Sequence, residues 1–327
     1  MLWAFLIFLI SQLYFFMNEL SFNDILVSEN RIRSHILNTP IISNAEINRE
    51  LNAEIFFKMD NQQVTNSFKA RGAFNAVLSH LDNFGFLPKK IVAQSSGNHA
   101  QAVAYVANKL NIPAIIYMAT NVSKLKIDAT RKLGAEVVLC ERRADANRLA
   151  EEKQNEGYFF IHPSDNDAVI AGQGTCLLEA LNEVDDVEAV FAPCGGGGLL
   201  SGCIIAKDGF NKNIKIIGCE PLNGNDAFRS VLANKIVGYD ESPNTVADGA
   251  RTLKISERCF HYLKKLNEII EIPEENINYW QQKLSDLLEQ KIEPTSALSI
   301  AGCQIYLQRN PDLINKKFLA ILTGGNL

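Results

Sequence analysis

Residues 90–140 read KIVAQSSGNHAQAVAYVANKLNIPAIIYMATNVSKLKIDATRKLGAEVVLC. The apolar run Lys90–Gln94 reads as a strand, and an amphipathic helix follows from about His99 to Lys109. Ala114–Met118 repeats the strand signal, Ser123–Leu133 the helix and Glu136–Cys140 the strand. Short buried strands alternating with helices imply a parallel sheet joined by helical crossovers. Beyond this stretch the pattern resumes, with a strand from Tyr158 to Ile161, a helix near Ala171–Val184 and a strand at Ala189–Ala192. Ile214–Cys219 and Phe318–Leu322 read as later buried strands, and Asn276–Gln290 and Thr295–Leu307 as helices. The expected fold is α/β, with two open, mostly parallel twisted sheets flanked by helices and ligand residues at strand ends in the cleft between them. Chemistry-bearing motifs lie on both sides of residues 90–165. That stretch is therefore expected to be a small inserted domain within a large one made of 18–89 and 166–327.

Composition narrows the function. The 327 residues are 47% hydrophobic and 21% charged, an ordinary globular balance. A net charge of -5 without a long basic run speaks against nucleic acid as a partner. The cysteines at 140, 176, 194, 203, 219, 259 and 303 are scattered without a CxxC pair, which points to reduced thiols in a cytoplasmic enzyme and away from zinc. Residues 1–17, MLWAFLIFLISQLYFFM, are the exception. The run is short for a membrane span, is interrupted by Ser11 and Gln12, and lacks the basic start and cleavage site of a signal peptide. Two readings stay open: an apolar leader ahead of a true start at Met17, or a membrane anchor.

Five motifs carry chemistry. In Thr65-Asn66-Ser67-Phe68-Lys69-Ala70-Arg71-Gly72-Ala73, Lys69 stands between a polar turn and the start of a helix. Burial there lowers its pKa toward the neutral amine needed to form a Schiff base with an aldehyde cofactor, whereas an ordinary lysine is a solvated surface charge. Gly195, Gly196, Gly197 and Gly198 follow a strand and precede an apolar helix beginning at Leu199. Such a turn lets backbone N–H groups converge on a phosphate, and its spacing matches neither a P-loop nor a dinucleotide fingerprint; the alternative is a flexible turn. Ser95-Ser96-Gly97-Asn98-His99-Ala100 offers hydroxyls and donors to a carboxylate, or caps a helix. Glu220 to Asp226, with the backbone carbonyl of Gly224 between, suits a hard divalent cation or is a solvated acidic turn. Thr323, in Leu322-Thr323-Gly324-Gly325-Asn326, puts a hydroxyl at a strand end where it can bond a heterocyclic nitrogen, or it ends the strand in a turn.

Taken in order, Ser67-Phe68-Lys69, the Ser-Ser-Gly-Asn-His loop, His162-Pro163, Ala171-Gly172-Gln173-Gly174-Thr175, the tetraglycine and Ile292-Glu293-Pro294-Thr295 resemble the serine/threonine dehydratase and serine racemase family. These are pyridoxal 5'-phosphate (PLP) enzymes of fold type II, and the resemblance covers nearly all of 18–326. It implies that Lys69 binds the cofactor and acts as base toward the substrate Cα proton. Phe68 packs on the pyridine ring, Asn98 bonds the ring hydroxyl, Gly195–Gly198 with Leu199 cradle the phosphate, and Thr323 meets the ring nitrogen. Ser95, Ser96, Gly97, Asn98 and His99 surround the substrate carboxylate. Glu220, the Gly224 carbonyl and Asp226 match the family's Mg²⁺ ligands (Ca²⁺ or Mn²⁺ being alternatives). A homodimer acting on a small amino acid is implied, with β-elimination of L-serine or L-threonine to a 2-oxo acid and ammonia. Ser96 keeps open a racemase that also dehydrates. Remoter alternatives are a β-replacement enzyme, an inactive PLP-binding sensor and a membrane-attached binding protein. Three positions depart from the family pattern: Asn66 for a glycine, Asp60 for a glutamate, and Ser164 after His162-Pro163, which bears on the substrate side-chain pocket.

Overall fold

The computed structural model describes residues 19–120, 122–210 and 213–326. The apolar stretch 1–17 lies outside the described residues. The described residues open with α1 (Phe22–Ile32), β1 (Ile41–Ile42), α2 (Ala45–Leu51), β2 (Glu54–Lys58) and α3 (Lys69–Phe84). It continues through β3 (Ile91–Gln94), α4 (Asn98–Lys109), β4 (Ala114–Ala119), α5 (Lys124–Lys132), β5 (Glu136–Cys140), α6 (Arg143–Asn155) and β6 (Phe159–Phe160). After these come α7 (Asp167–Glu183), β7 (Val187–Pro193), α8 (Gly198–Asp208), β8 (Lys215–Pro221), α9 (Asp226–Leu232), α10 (Glu257–Leu263), β9 (Glu268–Ile272), α11 (Glu274–Leu288), α12 (Pro294–Arg309) and β10 (Lys317–Ile321).

The strands form two sheets. One has the order β1-β2-β10-β7-β8-β9, the other β5-β4-β3-β6. Every pairing is parallel except the two-residue β1 against β2. The expected class, parallel sheets flanked by helices, is what the chain adopts. The central strands explain why: β7 (VEAVFAP) and β10 (KFLAI) are buried almost throughout, as strands covered by helices on both faces must be. One apolar cluster fills the space under α7, α8 and α10, and a second lies under α11 and α12 around the fully buried Trp280. A third joins Phe74 and Val77 of α3 to Ile91 and Ile116 of the four-stranded sheet and Val103 of α4.

Differences from the sequence reading have local causes. Helix α7 starts at Asp167 rather than near Ala171, because the Asn166 side chain accepts the Val169 N–H and caps an earlier turn. Strands β2 (EIFFK) and β9 (EIIEI) were not anticipated, since charges at their ends blur the apolar run. All seven cysteines are buried and unpaired, as expected of reduced thiols. No helix among the described residues is long and apolar enough to cross a membrane.

Candidate active site

Lys69 is the first residue of α3, and the chain reaches it through a turn that the opposite terminus holds. Asn66 takes φ 51°, a left-handed conformation that asparagine tolerates, so the departure from glycine is accommodated. Ser67 bridges Gly324 antiparallel, the Phe68 N–H donates to the Thr323 carbonyl at 3.0 Å, and the Gly325 N–H donates to the Asn66 carbonyl at 3.0 Å. Two motifs more than 250 residues apart in sequence are thereby zipped together. The Lys69 Nζ donates to the Pro163 carbonyl at 3.1 Å and lies 4.8 Å from the centroid of the Phe68 ring. That same carbonyl also accepts the Gln173 amide at 3.2 Å. Burial depresses the Lys69 pKa to about 8, and the neighbouring Cys259 and Glu293 oppose that shift.

The Ser95–His99 loop connects β3 to α4. Asn98 donates through Nδ2 to both carboxyl oxygens of Glu293 at 2.9 Å, and its Oδ1 accepts the Asn326 Nδ2 at 2.9 Å. An acceptor on one side and a donor on the other fix which way the amide faces. Burial raises Glu293 to about 7, partly offset by its bond from Asn98. The Ser95 hydroxyl accepts the Gly97 N–H at 3.3 Å; the half-buried Ser96 hydroxyl has no protein partner among the described residues. His99 is buried with Nε2 2.8 Å from the Ile161 carbonyl, so Nε2 carries the proton and Nδ1 is bare. Burial, aided by Lys69, pushes its pKa down to about 3. His162 is likewise neutral: its Nδ1 accepts the N–H groups of Ser164 and Asp165, and burial lowers it to about 4.

The tetraglycine leads from β7 into α8. A Cβ on Gly195 would meet the Gly249 carbonyl at 2.6 Å, on Gly196 the Ser164 hydroxyl at 2.5 Å, and on Gly198 the Gln173 Oε1 at 2.7 Å. Gly197 takes φ +83°. A side chain at Gly195 would clash with backbone, at Gly197 would strain the turn, and at Gly196 or Gly198 would push Ser164 or Gln173 aside; glycine at all four leaves a backbone-lined cradle at the α8 N-terminus, where the first-turn N–H groups, Leu199 included, lack intrahelical partners. Thr323 is buried, its Oγ1 3.3 Å from the Ser296 hydroxyl, which also accepts the Gly324 N–H at 2.8 Å. A phosphate cradle, a lysine with a depressed pKa, an aromatic ring beside it and a strand-end hydroxyl therefore fit a phosphorylated aromatic aldehyde.

The Glu220–Asp226 loop lies behind this cradle. The Glu220 carboxylate accepts the Ala227 and Phe228 N–H groups at 3.0 and 2.8 Å, capping the start of α9. Burial, then repulsion from Asp226, raises its pKa. Asp226 is raised to about 6 by burial; Oδ1 accepts the Thr252 hydroxyl at 3.1 Å and Oδ2 is buried without a partner. An unpartnered carboxylate oxygen beside a second buried carboxyl is a donor set suited to a hard cation. No group of three or more His, Cys, Asp or Glu placed to hold a metal occurs among the described residues, so the rest of a coordination shell would have to be carbonyl and water oxygen.

The family described as pyridoxal-phosphate dependent enzyme matches residues 32–324. This chain belongs to that family. It is 37% identical to the L-threo-3-hydroxyaspartate ammonia-lyase of Saccharomyces cerevisiae over 310 residues, covering 94% of this chain and 93% of the relative. It is 36% identical to the serine racemase of Schizosaccharomyces pombe, covering 94% of each. The solved structure of Dictyostelium discoideum serine racemase superposes with a TM-score of 0.86 at 34% identity, covering 94% of this chain and 99% of that one.

As a pyridoxal-phosphate dependent enzyme, the chain gathers Lys69, Phe68, Asn98, the tetraglycine and Thr323 at the carboxyl ends of strands from both sheets. Sequence reasoning assigned no role to Glu293, Asn326, Pro163 or Gln173. All four stood inside motifs it quoted, and a carboxylate flanked by Ile292 and Pro294 was the available signal. It also passed over Arg143, whose Nη1 donates to the Arg251 carbonyl at 2.7 Å. Nothing in the charge-rich stretch ERRADANR distinguishes that arginine from its neighbours.

Proposed function

We propose that this chain is an ammonia-lyase that eliminates water from a small L-3-hydroxy amino acid and releases a 2-oxo acid and ammonia. The substrates are L-serine, L-threonine and L-threo-3-hydroxyaspartate. The observation that carries the reading is Lys69, held at a helix start by the Pro163 carbonyl with its pKa lowered to about 8. When bound, PLP supplies an electron-withdrawing ring that acidifies the substrate Cα–H. The chain supplies the rest. Lys69 takes the Cα proton. Ser95, Gly97, Asn98 and His99 orient the carboxylate through the loop and the N-terminus of α4. Loss of the Cα proton and the β-hydroxyl leaves an enamine, which water converts to the oxo acid and ammonia.

Arg143 favours the dicarboxylic substrate. Its charge lowers the pKa of His162, as that of Lys69 does, and the Saccharomyces, Paracoccus denitrificans and Pseudomonas relatives at 37%, 34% and 34% identity are hydroxyaspartate enzymes. A second reading, racemisation, is supported by the unpartnered Ser96 hydroxyl, free to exchange a proton with the substrate. The proposal includes Mg²⁺ at Glu220, the Gly224 carbonyl and Asp226, a homodimer, and action in the cytoplasm. It also includes a small domain, 90–165, inserted in a large one, supported by the pairing of β3 to β6 only with one another.

The test is an assay with PLP and Mg²⁺ on each of the three amino acids, following oxo acid and D-amino acid together, on wild type and Ser96→Ala. Oxo acid from wild type and from Ser96→Ala supports the lyase. D-amino acid that vanishes in Ser96→Ala supports the second reading. Absence of both products, with PLP bound, overturns the proposal.

A further inference from the structure

The four-stranded sheet meets the rest of the molecule along two very different seams. On one side the contact is apolar: Phe74 and Val77 of α3, Val169 of α7 and Ile32 of α1 share a core with Ile91, Ala93, Val103 and Ile116. Burial of this kind holds two units together continuously. On the cleft side the contacts are polar. Asn98 meets Glu293 and Asn326 at 2.9 Å, Arg143 Nη1 meets the Arg251 carbonyl at 2.7 Å, and Lys126 pairs with Asp248. The Lys126 and Asp248 side chains are 23% and 35% exposed.

Both of the outer contacts land on one segment, 245–252. This segment is tied down on its far side. The Gly249 N–H donates to Thr295 Oγ1 at 3.0 Å and the Thr252 hydroxyl donates to Asp226 at 3.1 Å, while Arg251 Nε donates back to the Thr245 carbonyl at 2.8 Å within the segment. Its Gly249 carbonyl packs where a Gly195 side chain would stand, against the phosphate cradle. The segment is thus a strap fixed to the six-stranded sheet's side of the cleft, and Lys126 and Arg143 reach it from the other.

We propose that the Lys126–Asp248 pair is a latch that holds the cleft closed over the amino acid, with the apolar seam at α3 as the hinge. A partly exposed ion pair exchanges readily with water, so its opening costs little, whereas the apolar seam does not open without exposing a core. Closure expels water from the space in which Lys69 works. Lys126 and Asp248 are positioning residues, since neither reaches the reacting atoms. This inference rests on the cleft being the amino-acid site, and one readout below does not.

The experiment uses the holoenzyme as wild type, Lys126→Met, Asp248→Asn and the exchanged pair Lys126→Asp/Asp248→Lys. Hydrogen–deuterium exchange over 122–132 and 245–252 is measured without substrate, and KM and kcat for L-serine and L-threo-3-hydroxyaspartate are measured at low and high salt. Each single variant should exchange faster in both segments and raise KM by about three- to fivefold, with kcat within about twofold of wild type. The exchanged pair should recover most of both effects. Wild-type KM should rise with salt, and the single variants' KM should not. Exchange and KM unchanged in the single variants, or no recovery in the exchanged pair, overturns the latch. An enzyme that turns over neither amino acid overturns the substrate reading, and the exchange rates alone then decide the latch.

Discussion

Lys69 and Glu293, which face the cleft, both titrate near neutrality, and they move in opposite senses. Burial lowers the lysine to about 8, so its neutral fraction rises tenfold per pH unit up to that point and levels above it. Capture of PLP by the apoenzyme, followed by the absorbance of the lysine-linked cofactor, should therefore climb with pH and flatten near pH 8. A climb continuing toward the ordinary lysine value of 10.5 would show that the amine is not perturbed. Glu293 is raised from 4.5 to about 7, so the folded protein holds a proton that the unfolded chain releases. The sign follows: this group's contribution to stability is greatest at low pH and is lost as pH rises toward 7. Between about pH 5 and pH 8 the loss is about 2 to 3 kcal/mol. Urea unfolding of the apoenzyme should show wild type falling by that much more than Glu293→Gln over the same range; parallel curves would remove Glu293 from that role.

At the scale of the element, the cradle depends on glycine for reasons that differ along its length. Gly197 needs a positive φ, and a Cβ there would also stand 2.9 Å from Leu263 and 3.0 Å from Cys259. Gly197→Ala should cost about 1 to 2 kcal/mol from the left-handed backbone alone. It should also weaken PLP binding, because the α8 N-terminus moves with the turn. Thermal unfolding of the apoenzyme and a PLP titration measure the two effects, and wild-type values in both would count against the cradle. The tetraglycine, the lysine turn and the strand–helix alternation were legible in the sequence because each is a local signal: four consecutive residues without a side chain, or an apolar run of fixed length. Glu293 and Arg143 were not, because their roles come from what faces them across the cleft. Asn98 is 195 residues from Glu293 in sequence, and Arg251 is 108 from Arg143. Strand β9 was missed for a related reason: Glu268 and Glu271 interrupt EIIEI, and only its place beside β8 makes it a strand.

At the scale of the whole molecule, the position of Lys69 depends on how α3 is fixed, and a buried charge network two residues further along the helix does the fixing. Arg71 donates to Asp60 at 2.7 and 2.8 Å and to both oxygens of Glu179 at 2.6 and 2.7 Å. Lys58, also fully buried, pairs with Glu179 at 2.7 Å, and the Thr39 hydroxyl donates to Asp60 at 2.6 Å. Two cations and two carboxylates thus tie β2, the turn after it, α3 and α7 to one another. The shorter acid in place of glutamate at position 60 still reaches the guanidinium in a paired geometry. Burial alone would raise the Asp60 pKa, but the Arg71 charge and its hydrogen bonds outweigh it and hold the carboxyl below its ordinary value. The carboxylate therefore contributes stability at neutral pH that is lost as pH falls below the ordinary aspartate range. Asp60→Asn keeps the shape and removes the charge, leaving Arg71 buried with half its partners. Breaking a buried pair in this way costs about 3 to 5 kcal/mol, far more than an exposed pair such as Arg148–Glu152 could cost. Urea unfolding at neutral pH should show that loss, and the gap between wild type and Asp60→Asn should narrow as the pH is lowered and the wild-type carboxyl protonates. A loss below about 1 kcal/mol, or a gap independent of pH, would mean that α3 is held by its apolar face alone and that the network does not position the lysine.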